Sequence, residues 1–250
     1  MKRKIKEIKR IARGRLQGQY LSVIRAMIFC NLIVSVIEMP FSMLTNEIDF
    51  STQNIIYYIA VVIINIASIV LIAGQYRIHL TLSRTGEMHL SELFTPVKEH
   101  SDRFIFTNFL LFGFFLIGMI PMFGAIAIVY FYNDVALYIV AALLCIISMV
   151  FLIYVVLNFD LVVLVMNDHE ELSMMQAMKY TKNLMNGHKK RYLYLLLSFT
   201  GMQLLNLISF GVASFWVQPY MMETITIFYM DINGELEDTA PEPMYINQYV

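Results

Sequence analysis

Long apolar runs recur along this chain, and they restrict its possible folds more than any other feature. The clearest run, Ile55–Tyr76, contains no charged residue and matches the length of about 20 residues that a helix needs to cross a bilayer. Six runs of comparable character follow one another: Leu21–Met39, Ile55–Tyr76, Phe104–Tyr132, Val135–Met166, Tyr192–Ile208 and Phe210–Met230. We therefore predict an all-α, polytopic membrane protein with about six transmembrane helices in a single domain, residues 1–232.

The third run is longer than one crossing requires. It covers Phe104–Tyr132 and contains Pro121 together with three glycines. Proline removes a backbone hydrogen bond and kinks or breaks a helix. Two interpretations follow, namely one long helix kinked near Pro121, or a span followed by a short re-entrant segment.

The composition agrees with a membrane protein. Hydrophobic residues make up 58% of the chain and charged residues only 15%, whereas soluble domains carry about 25% charged residues. The polar side chains are too few to cover a surface that faces water. The two cysteines, Cys30 and Cys145, lie inside apolar runs. We therefore expect free thiols that pack as small apolar side chains, and no disulfide.

Basic residues are confined to alternate connections between the predicted spans. All 18 Lys and Arg residues lie before residue 26, between the second and third spans, or between the fourth and fifth spans. The remaining connections, 45–54, 133–134 and 206–211, contain none. Basic residues accumulate on the cytoplasmic side of a membrane. The pattern predicts that both termini are cytoplasmic and that residues 233–250 form a short acidic cytoplasmic tail.

Residues 1–20 predict a basic amphipathic helix. Its apolar residues recur at helical spacing and share one stripe, formed by Ile5, Ile8, Ala12 and Leu16. We expect this helix to lie at the membrane surface, with the stripe in the headgroup region. Nucleic-acid binding is not expected, because no second basic or aromatic platform follows. The residues predicted to contact anionic lipid headgroups are Lys2, Arg3, Lys4, Lys6, Lys9, Arg10, Lys189, Lys190 and Arg191.

The two cytoplasmic connectors are predicted to contain short helices. The first connector has a turn signal at Arg84–Glu87 and a short helix from Ser91. In the second, Asp168 and Ser173 are both candidate N-caps, since each has Glu or Gln three residues later. Gly187 suits the left-handed position that ends a helix. We predict an amphipathic helix along the inner membrane face in this second connector.

Catalytic and metal-binding motifs are not found in the sequence. The five histidines lack ligand spacing, and no nucleophile elbow, phosphate loop or dinucleotide turn is present. The acidic cluster Asp168–Glu171 fits the start of a helix, where the helix dipole favours negative charge. We therefore expect neither a catalytic residue, a metal nor a cofactor, and the chain is predicted not to be an enzyme.

Ionisable residues inside the predicted spans are the best functional lead. A charge at the bilayer centre costs at least about 2.5–3.5 kcal/mol, so it is rarely kept without a use. Asp160 and Glu223 lie at similar depths from the cytoplasmic ends of their spans, so the two could share one polar pocket with Asn158 and Gln75. In the alternative interpretation, each carboxylate reaches the inner interface or accepts hydrogen bonds from a neighbouring helix.

Several short motifs resemble those of a known family over nearly the full chain. They include the basic start Ile8–Arg13, the R-x-G-E turn at Arg84–Glu87 and Asp168 at the end of the fourth span. A longer pattern is carried by Ala177, Thr181, Leu184, Met185 and Gly187, then Leu197–Phe199, Trp216, Pro219–Tyr220 and Phe228–Tyr229. The chain thus resembles the bacterial integral-membrane proteins of the domain of unknown function 975 family, which occur mainly in Gram-positive bacteria. It is similar, more distantly, to the membrane domain of some glycerophosphodiester phosphodiesterases.

The resemblance implies fold and location, but it transfers no catalytic residue. We expect a multi-pass protein of the bacterial plasma membrane, acting as a non-enzymatic binding or accessory protein of the cell envelope. The alternative is a small secondary transporter that uses Asp160 and Glu223. A membrane-embedded hydrolase would need a nucleophile or metal motif that the sequence lacks. The lipid bilayer is the expected partner, and a protein partner stays open.

Overall fold

The computed structural model describes residues 3–42, 52–98, 101–132 and 134–236. Within these ranges the chain is helical and contains no strand, which confirms the predicted all-α class. Most of the predicted acidic tail, residues 237–250, lies outside the described residues. The helices are α1 (Ile5–Leu16), α2 (Tyr20–Ser42), α3 (Thr52–Thr85), α4 (Thr95–Lys98), α5 (Ser101–Phe131), α6 (Val135–Phe159), α7 (Val162–Asp168), α8 (Met174–Leu184), α9 (Lys189–Leu197), α10 (Thr200–Ile208) and α11 (Ser214–Ile232), with a 3-10 helix at Leu90–Phe94.

Four helical segments of the described chain are long and apolar enough to cross a membrane. They are Tyr20–Pro40, Ile55–Thr85, Ser101–Phe131 and Val135–Asp168. The predicted count of six is not confirmed. The predicted fifth span is divided at Ser198–Phe199 into α9 and α10, each nine residues and so about 14 Å long. The predicted sixth span corresponds to α11, which is too polar to qualify.

The two longest predicted runs form helices in different ways. The third run is one continuous helix, α5, with Pro121 inside it, so the single-helix interpretation is the one that the structure shows. The fourth run continues to Asp168, but it is interrupted at Asp160–Leu161, where α6 ends and α7 begins. α7 then packs against the last turns of α3.

α11 lies at the centre of the helix bundle. Every residue from Met222 to Met230 is buried, so the helix is covered on all sides. It packs against α1, α2 and α3, and its side chains join residues of α1, α7 and α9 in one apolar core. A helix buried all round belongs to the interior of a protein. Protein therefore covers this part of the predicted sixth span.

The N-terminal helix α1 packs on α11, and this corrects one expectation. Its apolar stripe is at most 9% exposed and belongs to the central core, so the predicted placement of the stripe in the headgroup region is wrong. The two helices run in opposite directions, because Arg3 donates to the Leu236 carbonyl at 2.6 Å while Tyr220 donates to the Lys9 carbonyl at 3.3 Å. Burying one Ile or Leu side chain contributes about 1.5–3 kcal/mol, which favours this arrangement.

α5 and α6 form a hairpin that projects from the bundle. They pack on each other along their length, and the Ser148 hydroxyl donates to the Gly118 carbonyl between them. Asp134 in the turn accepts the Ala136 backbone N–H at 2.7 Å. The outer faces of both helices carry exposed apolar side chains, among them Phe123. Contiguous apolar surface of this extent is not left in contact with water, so lipid covers the hairpin.

The connectors follow the local signals in the sequence. The Arg84–Glu87 turn has Gly86 at a φ of +77°, and the short helix predicted from Ser91 is present as the 3-10 helix and α4. Of the two candidate N-caps, Ser173 begins α8, and its N–H donates to the Gln176 side chain at 2.9 Å. Gly187 has the predicted left-handed conformation, with a φ of +78°. Both cysteines are free, as expected.

Candidate functional site

Arginines anchor one end of the bundle, where the end of α3 meets α7 and the end of α11. Arg84 bonds Asp168 at 2.7 Å and Glu235 at 2.9 Å. Asp168 also accepts the hydroxyl of Tyr229 at 2.6 Å, which ties α7 to α11. The further pairs at this end are Arg77–Glu92, Arg77–Glu170 and Arg191–Asp231. We call this set the ion-pair layer. It joins segments that are far apart in the sequence.

The acidic cluster Asp168–Glu171 is divided among different partners. Asp168 and Glu170 pair with two arginines of α3, while Glu171 lies 3.3 Å from the ring of His169. No group of three or more His, Cys, Asp or Glu residues in the described ranges could hold a metal ion. The cluster is therefore part of the scaffold at this end of the bundle.

Glu223 is the most deeply buried carboxylate of the core. It lies on α11 with 0% exposure and faces two residues of α3, His79 and Ser83. Its Oε2 is 2.7 Å from His79 Nδ1, and its Oε1 accepts the Ser83 hydroxyl at 2.5 Å. His79 and Ser83 are four residues apart, so they lie on one face of the helix. Both carboxylate oxygens are therefore bonded within the protein.

Asp160 has a different environment from Glu223. It lies at the break between α6 and α7, is exposed, and accepts the hydroxyl of Tyr192 from α9. Asn158 is fully buried, and its Oδ1 accepts Lys189 Nζ at 2.6 Å. The structure thus gives each of these residues its own partners and does not bring them into one pocket with Glu223. In the structure each of the two carboxylates accepts a hydrogen bond from a neighbouring helix.

A cavity of about 390 Å³ lies between α3, α10 and α11. Of the four residues predicted to share a site, only Gln75 lines it. Its polar lining is rich in side-chain amides, contributed by Gln75, Gln203, Asn206 and Gln218, with Ser214 beside them. No acidic, basic or histidine side chain is among the lining residues. We call this space the amide cavity.

Two polar groups of the amide cavity lack good partners. Asn206 Oδ1 is buried and has no hydrogen-bond partner. The Gln203 amide nitrogen donates to Met221 Sδ at 3.3 Å, and a thioether is a weak acceptor. Both residues lie on α10, which has no buried residue and so packs loosely on the bundle. A buried polar atom without a partner in a native protein calls for an explanation, and a bound ligand is one.

The sequence interpretation missed three of the four cavity amides. Asn206 was expected to mark a break between two spans, and Gln203 and Gln218 were not considered. The available signal was Gln203 and Asn206, two amides three residues apart in an otherwise apolar run. That spacing puts both side chains on one helical face.

The predicted lipid-contacting cations divide into two groups. Lys2 lies outside the described residues. Four others are held by the protein, because Arg3 and Arg191 contact Asp231, Lys189 contacts Asn158, and Lys9 donates to the Ser198 carbonyl at 3.0 Å. The exposed members are Lys4, Lys6, Arg10 and Lys190.

Lys9 shows why a basic residue on α1 need not face lipid. Its Nζ lies 3.9 Å from the centre of the Phe199 ring. Burial, and then the charge of Arg13, lower the pKa of Lys9 below its ordinary value. A cation in this position packs as part of the interface between α1 and α9.

These features define an integral membrane protein. Its helices are joined at one end of the bundle by the ion-pair layer, and three of them enclose the amide cavity. The chain belongs to the family described as protein of unknown function (DUF975), whose model matches residues 1–235. No curated protein and no solved structure matches the chain. The distant similarity to the membrane domain of glycerophosphodiester phosphodiesterases stays an expectation.

The family-motif residues lie mainly in the core. Buried members include Ala177, Thr181, Met185, Phe199, Tyr220, Phe228 and Tyr229. Arg84 and Asp168 bond each other in the ion-pair layer, and Gly187 supplies a left-handed turn. The family motif therefore consists mainly of residues that build the apolar core and the ion-pair layer.

Proposed function

We propose that this chain is a non-enzymatic, membrane-resident binding protein of the bacterial cell envelope. It lies in the plasma membrane with both termini in the cytoplasm, a topology that the distribution of all 18 Lys and Arg residues supports. The observation that carries the binding role is the amide cavity, because it combines a volume typical of ligand sites with a buried acceptor, Asn206 Oδ1, that has no partner.

The buried Ser83–His79–Glu223 group supports a role without catalysis. It contains the residue types of a catalytic triad, but the Ser83 hydroxyl donates to the carboxylate and not to the imidazole. A serine nucleophile needs a base that accepts its proton and a path to the substrate. Ser83, His79 and Glu223 are each at most 2% exposed, which supports a structural role for this group.

Filling the amide cavity tests the binding role. Protein with the Asn206→Trp substitution should lose a small molecule that co-purifies with the wild type, as measured by native mass spectrometry from nanodiscs. Leu205→Trp is the matched control, because Leu205 directly precedes Asn206 in α10 and is 55% exposed. Equal ligand occupancy in all three proteins, or no retained molecule in the wild type, would contradict the proposal.

The exposed cations of the N-terminal helix support attraction to anionic lipid as part of this role. Each basic residue near a membrane surface contributes about 1 kcal/mol. The double substitution Lys6→Gln and Arg10→Gln should lower the preference of the reconstituted protein for anionic over zwitterionic lipid in its annular shell. An unchanged preference would argue against this part of the proposal.

A second candidate function is secondary transport, which the Glu223–His79 pair favours. Both residues are buried, and Glu223 directly follows Met222, which lines the amide cavity. Ionisable residues inside a membrane protein often mark transport pathways. In proteoliposomes, proton-coupled transport of neutral polyols would acidify the lumen in the wild type, and Glu223→Gln would stop it. Ligand binding without any flux supports the binding protein instead.

A further inference from the structure

We propose that the amide cavity binds a membrane lipid whose headgroup is uncharged and carries hydroxyl groups. This inference rests on the proposed binding function and names its ligand class. It is carried by the chemistry of the lining, by the unpartnered Asn206 Oδ1 and the weakly bonded Gln203 amide on α10, and by the apolar surface that borders the cavity.

The lining selects against a charged headgroup. No acidic, basic or histidine side chain lines the cavity. Glu223, the nearest carboxylate along α11, is already bonded to both His79 and Ser83. A phosphate or an ammonium group would therefore enter without a countercharge, and a buried charge without one is strongly unfavourable.

Side-chain amides match hydroxyl groups well. Each carboxamide carries both donors and an acceptor, and a hydroxyl group likewise donates and accepts. The four amides of the cavity can thus hold several hydroxyls at once. The cavity volume of about 390 Å³ lies within the range of about 300–1,000 Å³ found for small-molecule sites.

The hydrogen-bonding needs of Asn206 and Gln203 make the preference for hydroxyl groups more specific. Asn206 Oδ1 is a buried acceptor that needs a donor, and an ionised phosphate has only acceptor oxygens. The Gln203 amide needs a better acceptor than the Met221 sulfur. Gln203 and Asn206 share one face of α10, so adjacent hydroxyls of one headgroup can satisfy both.

The surroundings of the cavity identify the ligand as an amphiphile. α10 and the turn that follows it expose Leu204, Leu207, Ile208 and Phe210, and Phe210 is 98% exposed. Leu207 is four residues from Gln203, so this apolar surface continues from the face that lines the cavity. Trp216, at the start of α11, is also exposed. Acyl chains fit along this apolar surface while the headgroup occupies the cavity. A soluble polyol would leave the apolar surface unused.

Lipid retention in nanodiscs tests the inference with the full chain. Phosphatidylcholine discs are doped separately with monoglucosyl diacylglycerol, diacylglycerol, phosphatidylglycerol or phosphatidylethanolamine, all with the same acyl chains. Maltoside detergents are avoided, since their hydroxylated headgroups would compete. Native mass spectrometry should show the glucosyl lipid retained about tenfold more than either phospholipid.

Matched variants connect retention to the amides. Asn206→Leu and Gln218→Leu should each lower retention of the glucosyl lipid about tenfold, the equivalent of one lost hydrogen bond of about 1.4 kcal/mol. Asn65→Leu is the control, because Asn65 is an exposed amide of α3 outside the cavity. Gln218 is exposed as well, so its replacement does not disturb the core.

The outcomes separate the ligand class from the proposed function. Equal or stronger retention of a charged lipid that Asn206→Trp abolishes would overturn the ligand class and leave the binding role in place. Displacement of the glucosyl lipid by millimolar free glucose would overturn the requirement for a lipid tail. Lipid retention that no cavity variant alters would overturn both.

Discussion

The Ser83–Glu223 hydrogen bond is expected to be a major contributor to the stability of the bundle. Glu223 is fully buried and its carboxylate has two partners on α3, so the bond links the central helix to its neighbour. Ser83→Ala removes one partner with a minimal change of volume. Glu223→Ala removes the acceptor and leaves both partners buried without it.

The magnitudes follow from the two contacts. Removing one partner of a buried hydrogen bond leaves the other unsatisfied at a cost of about 1–3 kcal/mol, so Ser83→Ala should lower the free energy of unfolding by that amount. Glu223→Ala leaves both the Ser83 hydroxyl and the His79 ring without their partner, so it should cost about 2–6 kcal/mol. When Glu223 has already been replaced by Ala, the Ser83 hydroxyl has no acceptor, so removing that hydroxyl breaks no further bond. The double variant should therefore be no more than about 1 kcal/mol less stable than Glu223→Ala alone.

Reversible unfolding in mixed micelles, followed by Trp216 fluorescence, measures these differences, since the chain has a single tryptophan. Ser68→Ala is the control, because the Ser68 hydroxyl donates only to the Ile64 carbonyl within α3. Its removal should cost less than about 1 kcal/mol. Additive losses in the double variant, or a Ser83→Ala protein as stable as the Ser68→Ala control, would refute the coupling.

Three further expectations can be measured directly. Gly74→Ala should cost about 3 kcal/mol of unfolding free energy, since its Cβ would lie 2.0 Å from the Leu93 carbonyl oxygen. Gly113→Ala is the control, because no atom lies within 4 Å of the added Cβ, and its stability should stay within about 1 kcal/mol of wild type. Equal effects of the two substitutions would contradict this packing. Tyr229→Phe should cost about 1.5–3 kcal/mol in the same assay, through the lost bond to the ion-pair layer, and no loss would count against that bond. A reporter fused after Val250 should be cytoplasmic and one inserted at 46–49 external, whereas two reporters on one side would exclude the predicted topology.

Local signals in the sequence predicted the parts of the fold that depend on local chemistry. The apolar run Ile55–Tyr76 became part of a spanning helix, and Gly187 adopted its left-handed turn because no side chain opposes it. The apolar stripe of α1 could also be predicted from the sequence, but the helix against which it packs, α11, could not. An apolar stripe packs equally well in a lipid surface and against another helix, and residues 1–20 contain nothing that decides between them.

The candidate site was harder to predict, because it depends on which helix faces meet. The sequence places Asp160 and Glu223 at similar distances from the ends of their predicted spans, but depth does not determine the direction in which a side chain points. His79 and Glu223 are separated by 144 positions, and no spacing rule links residues so far apart. The amide cavity combines α3 with α10 and α11 and was invisible for the same reason.

The packing of α1 on α11 has a consequence for biosynthesis. Arg3 and Leu236, which are hydrogen-bonded, are 233 positions apart, so α1 leaves the ribosome long before its partner α11 has been made. At about 5–20 residues per second, translation of that interval takes roughly 12–47 s. Throughout this time the stripe of α1 lacks its main protein partner, and the adjacent bilayer surface is an apolar phase within its reach. We therefore expect a nascent chain that stops short of α11 to keep α1 on the bilayer surface.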